Sequence, residues 1–167
     1  MPKAPEAAAK TYNLAEAKAR LSHLIRRVEQ GEVILIKRYG RGRLNLLLDS
    51  HILLWWLADD PRLSRKARRF IERADVVYVS AATTWELALK ASLGKLKMPE
   101  GFVETVEEEG FTHLPVTPVH AMAVRALPWH HRDPFDRLLV AQAAVEGLRL
   151  LTAEPLLARY GRHVWVV

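Results

Sequence analysis

Residues 44–48, Leu-Asn-Leu-Leu-Leu, are the segment that most constrains how this 167-residue chain can fold. The run is apolar except at Asn45, whereas a strand with one face in water would alternate apolar and polar residues. It therefore predicts a strand covered on both faces, as in the middle of a parallel sheet. Asp49 follows at once, so the sequence places a carboxylate where that strand ends.

Strand and helix patterns alternate along the rest of the chain. The patterns predict four further strands, at residues 76–79, 112–116, 148–152 and 164–167. Pro115 confines the second of these to a sheet edge, because proline has no backbone N–H to donate. Helices are predicted at residues 50–58, 64–74, 81–93, 101–109, 118–127 and 134–146. This order favours an α/β, three-layer fold over residues 44–167, with a central parallel sheet flanked by helices.

Residues 1–43 differ from the remainder in charge. They hold ten Lys and Arg against four acids, whereas residues 44–167 hold fifteen of each. A floppy tail up to Lys10, a helix beginning near Leu14 behind Asn13, and one strand at residues 33–36 are predicted here. Gly31 is the expected end of the helix. A helix plus one strand buries little, so this module is expected to pair with a second copy.

Composition limits both location and metal chemistry. No apolar run approaches the roughly 20 residues that cross a bilayer, and the start lacks the apolar centre of a signal peptide. We therefore expect a cytoplasmic protein without membrane contact. Because the chain has no cysteine, any metal must be held by carboxylates, histidines or water. Carboxylate ligands favour hard cations such as Mg²⁺ or Mn²⁺.

Acidic residues follow two of the predicted strands, and two more lie on helices. Asp49 ends the first strand of the α/β part, and Glu154 follows residues 150–152. If these strands are neighbours, their carboxylates converge, because open α/β sheets place sites at the carboxyl ends of their strands. Glu86 and Asp136 lie on helices that could join them. Each acid alone is as well explained by a structural role; the set indicates a site.

Three short motifs resemble those of VapC-type PIN-domain toxins. They are Leu46-Leu47-Leu48-Asp49-Ser50-His51, Trp85-Glu86-Leu87-Ala88 and Asp133-Pro134-Phe135-Asp136-Arg137. The resemblance extends from Leu44 to the end and includes Leu151-Thr152-Ala153-Glu154. It implies a PIN-like fold and an enzyme that uses Mg²⁺ or Mn²⁺ to hydrolyse RNA phosphodiester bonds.

The resemblance also implies roles for individual acids. Asp49, Glu86, Asp136 and Glu154 would hold the metal and form the catalytic set. Asp136 rather than Asp133 matches the family's helix register, counted on to Gly147. Glu154 departs from the family's usual Asp, but the waters that Mg²⁺ keeps can absorb a shift of one methylene, so activity is expected to survive.

Several other side chains are weaker candidates for nucleic-acid contact. Lys90, Arg132 and Arg137 are basic residues that could meet an RNA backbone, although a surface arginine is more often only solvated. Trp55, Trp56 and Trp85 could stack on bases, but aromatic residues at helical spacing beside leucines are more often core or interface. Adjacent histidines such as His130 and His131 usually point apart, which argues against a metal site there.

The leading residues resemble the start of a Phd/YefM-type antitoxin. The match is carried by residues 12–22, residues 28–33 and Ile36-Lys37-Arg38. It implies dimerisation and binding to promoter DNA, with phosphate contacts expected from Lys18, Arg20, Arg26, Arg27, Lys37, Arg38, Arg41 and Arg43. The carboxy-terminal extension with which such antitoxins silence a toxin is not found before residue 44, so self-neutralisation is not implied.

The leading hypothesis is thus an endoribonuclease toxin of a type II toxin–antitoxin system, made of an antitoxin-like module (residues 1–43) and a PIN domain (residues 44–167). A homodimer and a separately encoded antitoxin are the expected partners. The alternative is a regulator that binds DNA without catalysis, in which Glu154 marks a degenerate site. Cleavage of DNA is a third possibility, because metal-assisted hydrolysis does not require a 2′-hydroxyl.

Overall fold

The computed structural model describes residues 10–13, 21–32, 34–37 and 44–167. The chain forms two compact units, residues 1–42 and residues 43–167. Each unit is built from its own elements, and the acidic residues singled out above belong to the larger one.

The leading unit contains a strand that the sequence did not predict. Its described elements are β1 (Lys10–Asn13), α1 (Leu21–Glu29) and β2 (Ile34–Lys37), with β1 and β2 paired in parallel. The expectation of a single strand is therefore wrong. The expected tail lies, apart from Lys10, outside the described residues. Thr11 and Tyr12 favour β structure, but four residues beside charged neighbours give too little periodicity to predict a strand. The helix start predicted near Leu14 lies outside the described residues.

The larger unit follows the predicted alternation. Its strands are β3 (Asn45–Leu48), β4 (Val76–Ser80), β5 (Thr112–Leu114), β6 (Arg149–Thr152) and β7 (Val164–Val166). Its α-helices are α2 (Ser50–Leu57), α3 (Arg65–Arg73), α4 (Ala81–Ser92), α5 (Phe102–Glu108), α6 (Pro118–Ala123) and α7 (Pro134–Glu146). Short 3₁₀ helices span Val124–Ala126 and Pro155–Tyr160. The helix predicted at residues 118–127 thus ends its α-helical part early.

All pairings in the large sheet are parallel, in the order β5-β4-β3-β6-β7. The predicted parallel α/β fold is confirmed, and β5 lies at the edge, as Pro115 requires. The chain runs from β3 to β4 on one side and returns to β6 on the other. The carboxyl end of β3 is therefore the point where strand order reverses, which is where open α/β sheets form their sites.

The central strand is covered on both faces. Leu46 and Leu48 are buried with Ile52 and Leu53 of α2, whereas Leu47 is buried with Leu139 of α7. Successive residues of a strand point to opposite faces, so the Leu46-Leu47-Leu48 run fills both layers. The packing fixes the direction of β3 and therefore the position of Asp49. No helix in the described part of the chain is long and apolar enough to cross a membrane.

Candidate active site

Asp49 lies between the end of β3 and the start of α2, with its carboxylate held on both oxygens. Oδ1 accepts hydrogen bonds from the backbone N–H groups of His51 (2.7 Å) and Ile52 (3.2 Å), so Asp49 caps α2. Oδ2 accepts from the Thr152 hydroxyl and from the Ala153 N–H (3.3 Å). The side chain is 2% exposed. A buried carboxylate with this many donors is fixed in one orientation.

Thr152 connects Asp49 with the neighbouring strand. β3 and β6 pair with Leu48 opposite Leu151, which brings the two strand ends together. The Thr152 hydroxyl donates to Asp49 and accepts from the backbone N–H of Glu154 (2.9 Å). The Glu154 carboxylate accepts from the Leu156 N–H (3.0 Å) and so begins the following 3₁₀ helix. One oxygen of Glu154 therefore has a capping role.

Glu86 lies in the middle of α4 and is held by two partners. Its Oε2 accepts a hydrogen bond from the Ser50 hydroxyl, which comes from the first residue of α2. Its Oε1 lies 2.5 Å from Nζ of Lys90, one turn further along α4. Glu86 and Ser50 are both buried. The Ser50 contact joins the helix that carries Glu86 to the residue next to Asp49.

Two acids, Asp133 and Asp136, lie at the amino-terminal end of α7 and have different roles. Asp133 precedes the helix, and its Oδ1 accepts from the N–H groups of Phe135 (2.8 Å) and Asp136 (3.3 Å), so it is the amino-terminal cap. Asp136 lies in the first turn. Its Oδ2 is 3.4 Å from Nδ1 of His131, in the loop before the helix. Asp133 thus has a capping role, as Asp49 and Glu154 also do, whereas Asp136 does not cap the helix.

The pKa of Asp136 is affected by burial and by the charges of the other acids. Burial is the largest cause that raises this pKa, and the negative charges of Asp133, Asp49, Glu86 and Glu154 add to it. Together they bring the pKa to about 7. A neighbouring like charge disfavours ionisation only at short range or in a poorly screened place. The four acids predicted from the sequence therefore share one electrostatic environment, hereafter called the acidic pocket.

The acidic pocket suits a hard cation by its donor set. All four predicted ligands offer carboxylate oxygens, and the repulsion that raises the pKa of Asp136 is what a divalent cation would relieve. In the described part of the chain, however, no three Asp, Glu or His side chains form a ready-made metal cluster. Lys90 and the hydroxyls of Ser50 and Thr152 meanwhile occupy oxygens of Glu86 and Asp49. The residues fit a metal chemically, and the carboxylates must converge further to hold it.

The position of Arg137 corrects the expectation that it contacts RNA. Its guanidinium is 3% exposed and donates to the carbonyl oxygens of Pro128 (2.8 Å), Leu127 (3.1 Å) and Val124 (3.2 Å). It also donates to the Tyr160 hydroxyl at 3.0 Å. These acceptors satisfy the guanidinium inside the protein. Arg137 instead holds the loop of residues 127–133 against α7.

The remaining predicted contact residues are placed as follows. Lys90 pairs with Glu86, which occupies its ammonium group, and Arg132 is exposed on the loop before α7. In the leading unit Arg26 is exposed on α1, and Arg27 forms an ion pair with Glu32. Five of the proposed DNA contacts lie outside the described residues: Lys18, Arg20, Arg38, Arg41 and Arg43. Lys37 ends β2.

Two polar partners of the acids were missed from the sequence. Ser50 was treated only as part of a motif, yet its hydroxyl holds Glu86. His131 was considered only as a metal ligand, yet it faces Asp136, while the ring of His130 packs on Tyr160 at 5.2 Å. The adjacent histidines do point apart, as expected. The adjacency of Ser50 to Asp49 was the available signal for the first; nothing in the sequence pointed to the second.

Comparison with known proteins agrees with this fold. A sequence profile of the PIN domain matches residues 46–162. Ribonuclease VapC22 of Mycobacterium tuberculosis is 36% identical over 121 residues, which covers 71% of this chain and 92% of that protein. The range matched by the PIN-domain profile includes the positions of Asp49, Glu86, Asp136 and Glu154.

Solved structures show the same fold at low identity. VapBC2 from Rickettsia felis, bound to a DNA fragment from its promoter, superposes with a TM-score of 0.54 at 12% identity, covering 74% of this chain and 98% of that one. A toxin–antitoxin complex from Klebsiella pneumoniae gives a TM-score of 0.53 at 18% identity, covering 72% and 96%. At these identities the likeness concerns the fold alone.

Proposed function

The chain belongs to the PIN-domain family, and from that premise we propose that it is an endoribonuclease toxin of the VapC type that hydrolyses RNA phosphodiester bonds. The similarity to a ribonuclease over most of both chains supports this activity. The toxin–antitoxin complexes among proteins of the same fold are consistent with the biological setting. The reaction would take place in the cytoplasm.

The observation that carries the proposal is the acidic pocket at the point where strand order reverses. Asp49 comes from the end of β3, Glu154 follows β6, and Glu86 and Asp136 come from α4 and α7. A buried acid with other acids near it costs stability when its charge is not offset, and burial and the neighbouring charges raise the pKa of Asp136. Such a cost is expected where the charge serves a reaction.

The proposed cofactor is Mg²⁺ or Mn²⁺, held by Asp49, Glu86, Asp136 and Glu154. When bound, such a cation lowers the pKa of a water and offsets the charge that develops on the phosphate oxygens. Asp49 is oriented for this role by Thr152 and by backbone N–H groups. Glu86 is oriented by Ser50, while Lys90 keeps a positive charge beside it that can turn toward the phosphodiester.

Cleavage of a total-RNA pool tests this proposal. Purified protein with Mg²⁺ or Mn²⁺ is expected to give discrete cuts that disappear in EDTA and in Asp49→Asn. Uncut RNA with a folded protein that binds the metal, measured by calorimetry, would shift preference to a regulator without catalysis. Cuts that persist in Asp49→Asn would remove Asp49 from the site.

A separate antitoxin and a second copy of the chain are the proposed protein partners. Two apolar side chains of α4, Trp85 and Leu89, and that of Leu93 at its carboxy-terminal cap are exposed at successive turns. A stripe of this kind on a helix is typical of a surface that another protein covers. Size-exclusion chromatography with light scattering is expected to show a dimer, and Leu89→Asp to weaken it.

The leading unit is proposed to derive from a Phd/YefM-type antitoxin and to bind promoter DNA or dimerise. The excess of basic residues in 1–43 supports DNA binding, and α1 exposes Leu21, Ile25 and Val28 on one face, which supports pairing. Full-length protein is expected to shift promoter DNA less as salt rises. Arg26→Ala should reduce that salt dependence, because each lost phosphate contact lowers the slope by about one.

A further inference from the structure

Trp129 carries the most exposed large apolar side chain among the residues the structure describes. It is 80% exposed in the loop that leads to α7. Trp55 and Trp56, by contrast, belong to α2 and pack against the core. A single exposed apolar side chain is common on protein surfaces, but Trp129 differs in that another side chain holds its ring in place.

The indole is exposed but firmly supported. The guanidinium carbon of Arg137 lies 4.0 Å from the centre of the Trp129 ring, in cation–π geometry. Arg137 also donates to the carbonyl of Pro128, before Trp129, at 2.8 Å and to that of His131, after it, at 3.4 Å. The backbone on both sides of the tryptophan is thus fixed by one buried side chain. A ligand that lands on the indole loses little loop entropy.

The support covers one face of the ring and leaves the other for a ligand. A flat aromatic face held in this way stacks well on a nucleobase, and the cost of ordering it has already been met by the fold. Two residues further on, His131 faces Asp136 of the acidic pocket at 3.4 Å. Two residues span at most about 7 Å along the backbone, so the loop that carries the indole also reaches the acidic pocket, through His131.

Charge in the same loop favours a nucleic acid over a protein as the occupant. Arg132 is exposed three residues after Trp129. An exposed aromatic ring next to an exposed cation is the combination with which proteins hold single strands, the ring stacking on a base and the cation meeting the backbone. Duplex RNA keeps its bases stacked on each other and offers none to the ring.

We propose that Trp129 stacks on an unpaired base of the RNA substrate, next to the phosphodiester that is cut. The proposal rests on the proposed function for the identity of the substrate. It also assigns Arg137 as the positioning residue that keeps the indole in place.

Short single-stranded oligoribonucleotides carrying 2-aminopurine at successive positions test this role, with full-length protein in EDTA so that nothing is cut. Binding is expected to quench the fluorescence strongly at one position. Trp129→Ala should abolish that quenching and weaken binding on the order of 5- to 100-fold, since one stacked base contributes about that much. Trp129→Phe should restore part of both, because it keeps an aromatic face.

Met122→Ala is the matched control, because Met122 is also exposed but lies on α6, outside the loop of residues 127–133. This variant should bind the labelled RNA like the wild type. Equal quenching and affinity in wild type and Trp129→Ala, or no binding by either, would overturn the stacking role. A change of oligomeric mass in Trp129→Ala with unchanged RNA binding would assign the indole to a protein interface instead.

The two proposals can fail separately. Loss of quenching in Trp129→Ala without any metal-dependent cleavage by the wild type would leave a protein that stacks RNA but does not cut it. If Trp129→Ala cleaves RNA normally and still quenches the 2-aminopurine fluorescence, the protein is a nuclease and the indole has no stacking role. For a nuclease with the stacking role, Trp129→Ala should raise KM more than it lowers kcat, since the ring binds substrate and leaves the acids in place.

Discussion

Asp49 and Asp136 both belong to the acidic pocket, but the first carboxylate accepts several hydrogen bonds and the second has almost no polar partner. Asp49 receives hydrogen bonds on both oxygens from His51, Ile52, Thr152 and Ala153. Within the described residues, the Asp136 carboxylate has one polar contact, with His131 at 3.4 Å. The difference shows in the pKa of Asp136, which burial and neighbouring charges raise to about 7.

The contrast separates two ways of building a site for a cation. Donors from the backbone and from Thr152 make Asp49 part of the fold, so that its orientation does not depend on a ligand. Asp136 lacks such donors, and its charge is tolerated only when a proton or a cation offsets it. Substitutions at the two positions should therefore agree in their effect on activity and disagree in their effect on stability.

Loss of either charge is expected to have the largest effect on activity. Asp49→Asn and Asp136→Asn should each lower the rate of RNA cleavage by more than about 100-fold, beyond the usual cost of losing a group that only supports a ligand. Initial rates at saturating Mg²⁺ measure this, with circular dichroism to verify folding. A folded variant that keeps a tenth of the activity would not be missing a metal ligand.

Removal of the Thr152 hydroxyl should have the second-largest effect on the rate of RNA cleavage. Thr152→Val keeps the shape of the side chain but takes the donor from Oδ2 of Asp49, and a loss of about 10- to 100-fold is typical for such supporting groups. Thr152→Ser is the control that retains the hydroxyl. Equal cleavage rates for the Val and Ser variants would mean that backbone donors alone suffice to hold Asp49.

Without metal, Asp136→Asn and Asp49→Asn should change the free energy of unfolding in opposite directions. The folded-state pKa of Asp136 is about 7 against an ordinary 3.8, so the folded state binds the extra proton between those values. Stability from this group is thus lost as pH rises through that window. Above pH 7, Asp136→Asn should stabilise the EDTA-treated protein by about 1 to 2 kcal/mol, after allowance for solvent screening.

Urea unfolding at pH values below and above this window measures the effect. Asp49→Asn is the matched comparison and should destabilise the protein by about 1 to 3 kcal/mol, because buried donors lose a charged acceptor. The contrast between the acids breaks down if Asp136→Asn is destabilising above pH 7, or if its effect does not change with pH.

Glu154→Asp should have the smallest effect. Aspartate can still cap the 3₁₀ helix that begins after Glu154, and the waters around Mg²⁺ can absorb a shift of one methylene. The cleavage rate should change by less than about tenfold, below the usual cost of losing a supporting group. Glu154→Gln, which keeps the length but not the charge, is the control; similar large losses in both variants would mean that the carboxylate position is critical.

Local patterns were enough to predict the fold, whereas the roles of the acids came from a family resemblance and stay predictions. The apolar run ending at Asp49 predicted a central strand, and the helix at Pro134–Glu146 was placed with its first-turn Asp136. Both depend on residues close in sequence, where periodicity and capping preferences act. The choice of Asp136 over Asp133 came from the family's helix register, and the structure gives Asp133 a capping role.

Contacts between distant segments could not be predicted in this way. The bond from Ser50 to Glu86 joins residues 36 positions apart. The side chain of Arg137 reaches back to Val124, 13 positions before it. β1 pairs with a strand more than 20 residues later, and its four residues carry little pattern of their own. Which donor meets which acceptor across such intervals is decided by packing, and one sequence carries no direct sign of it.

The bond between Thr152 and Asp49 joins residues 103 positions apart. Chains leave the ribosome from the amino terminus, at about 5 to 20 residues per second, and contacts of such long range form late in folding. A nascent chain therefore carries Asp49 and Glu86 for seconds before Asp136, Thr152 and Glu154 are available. The order of synthesis itself therefore delays the complete acidic pocket until residue 154 has been made.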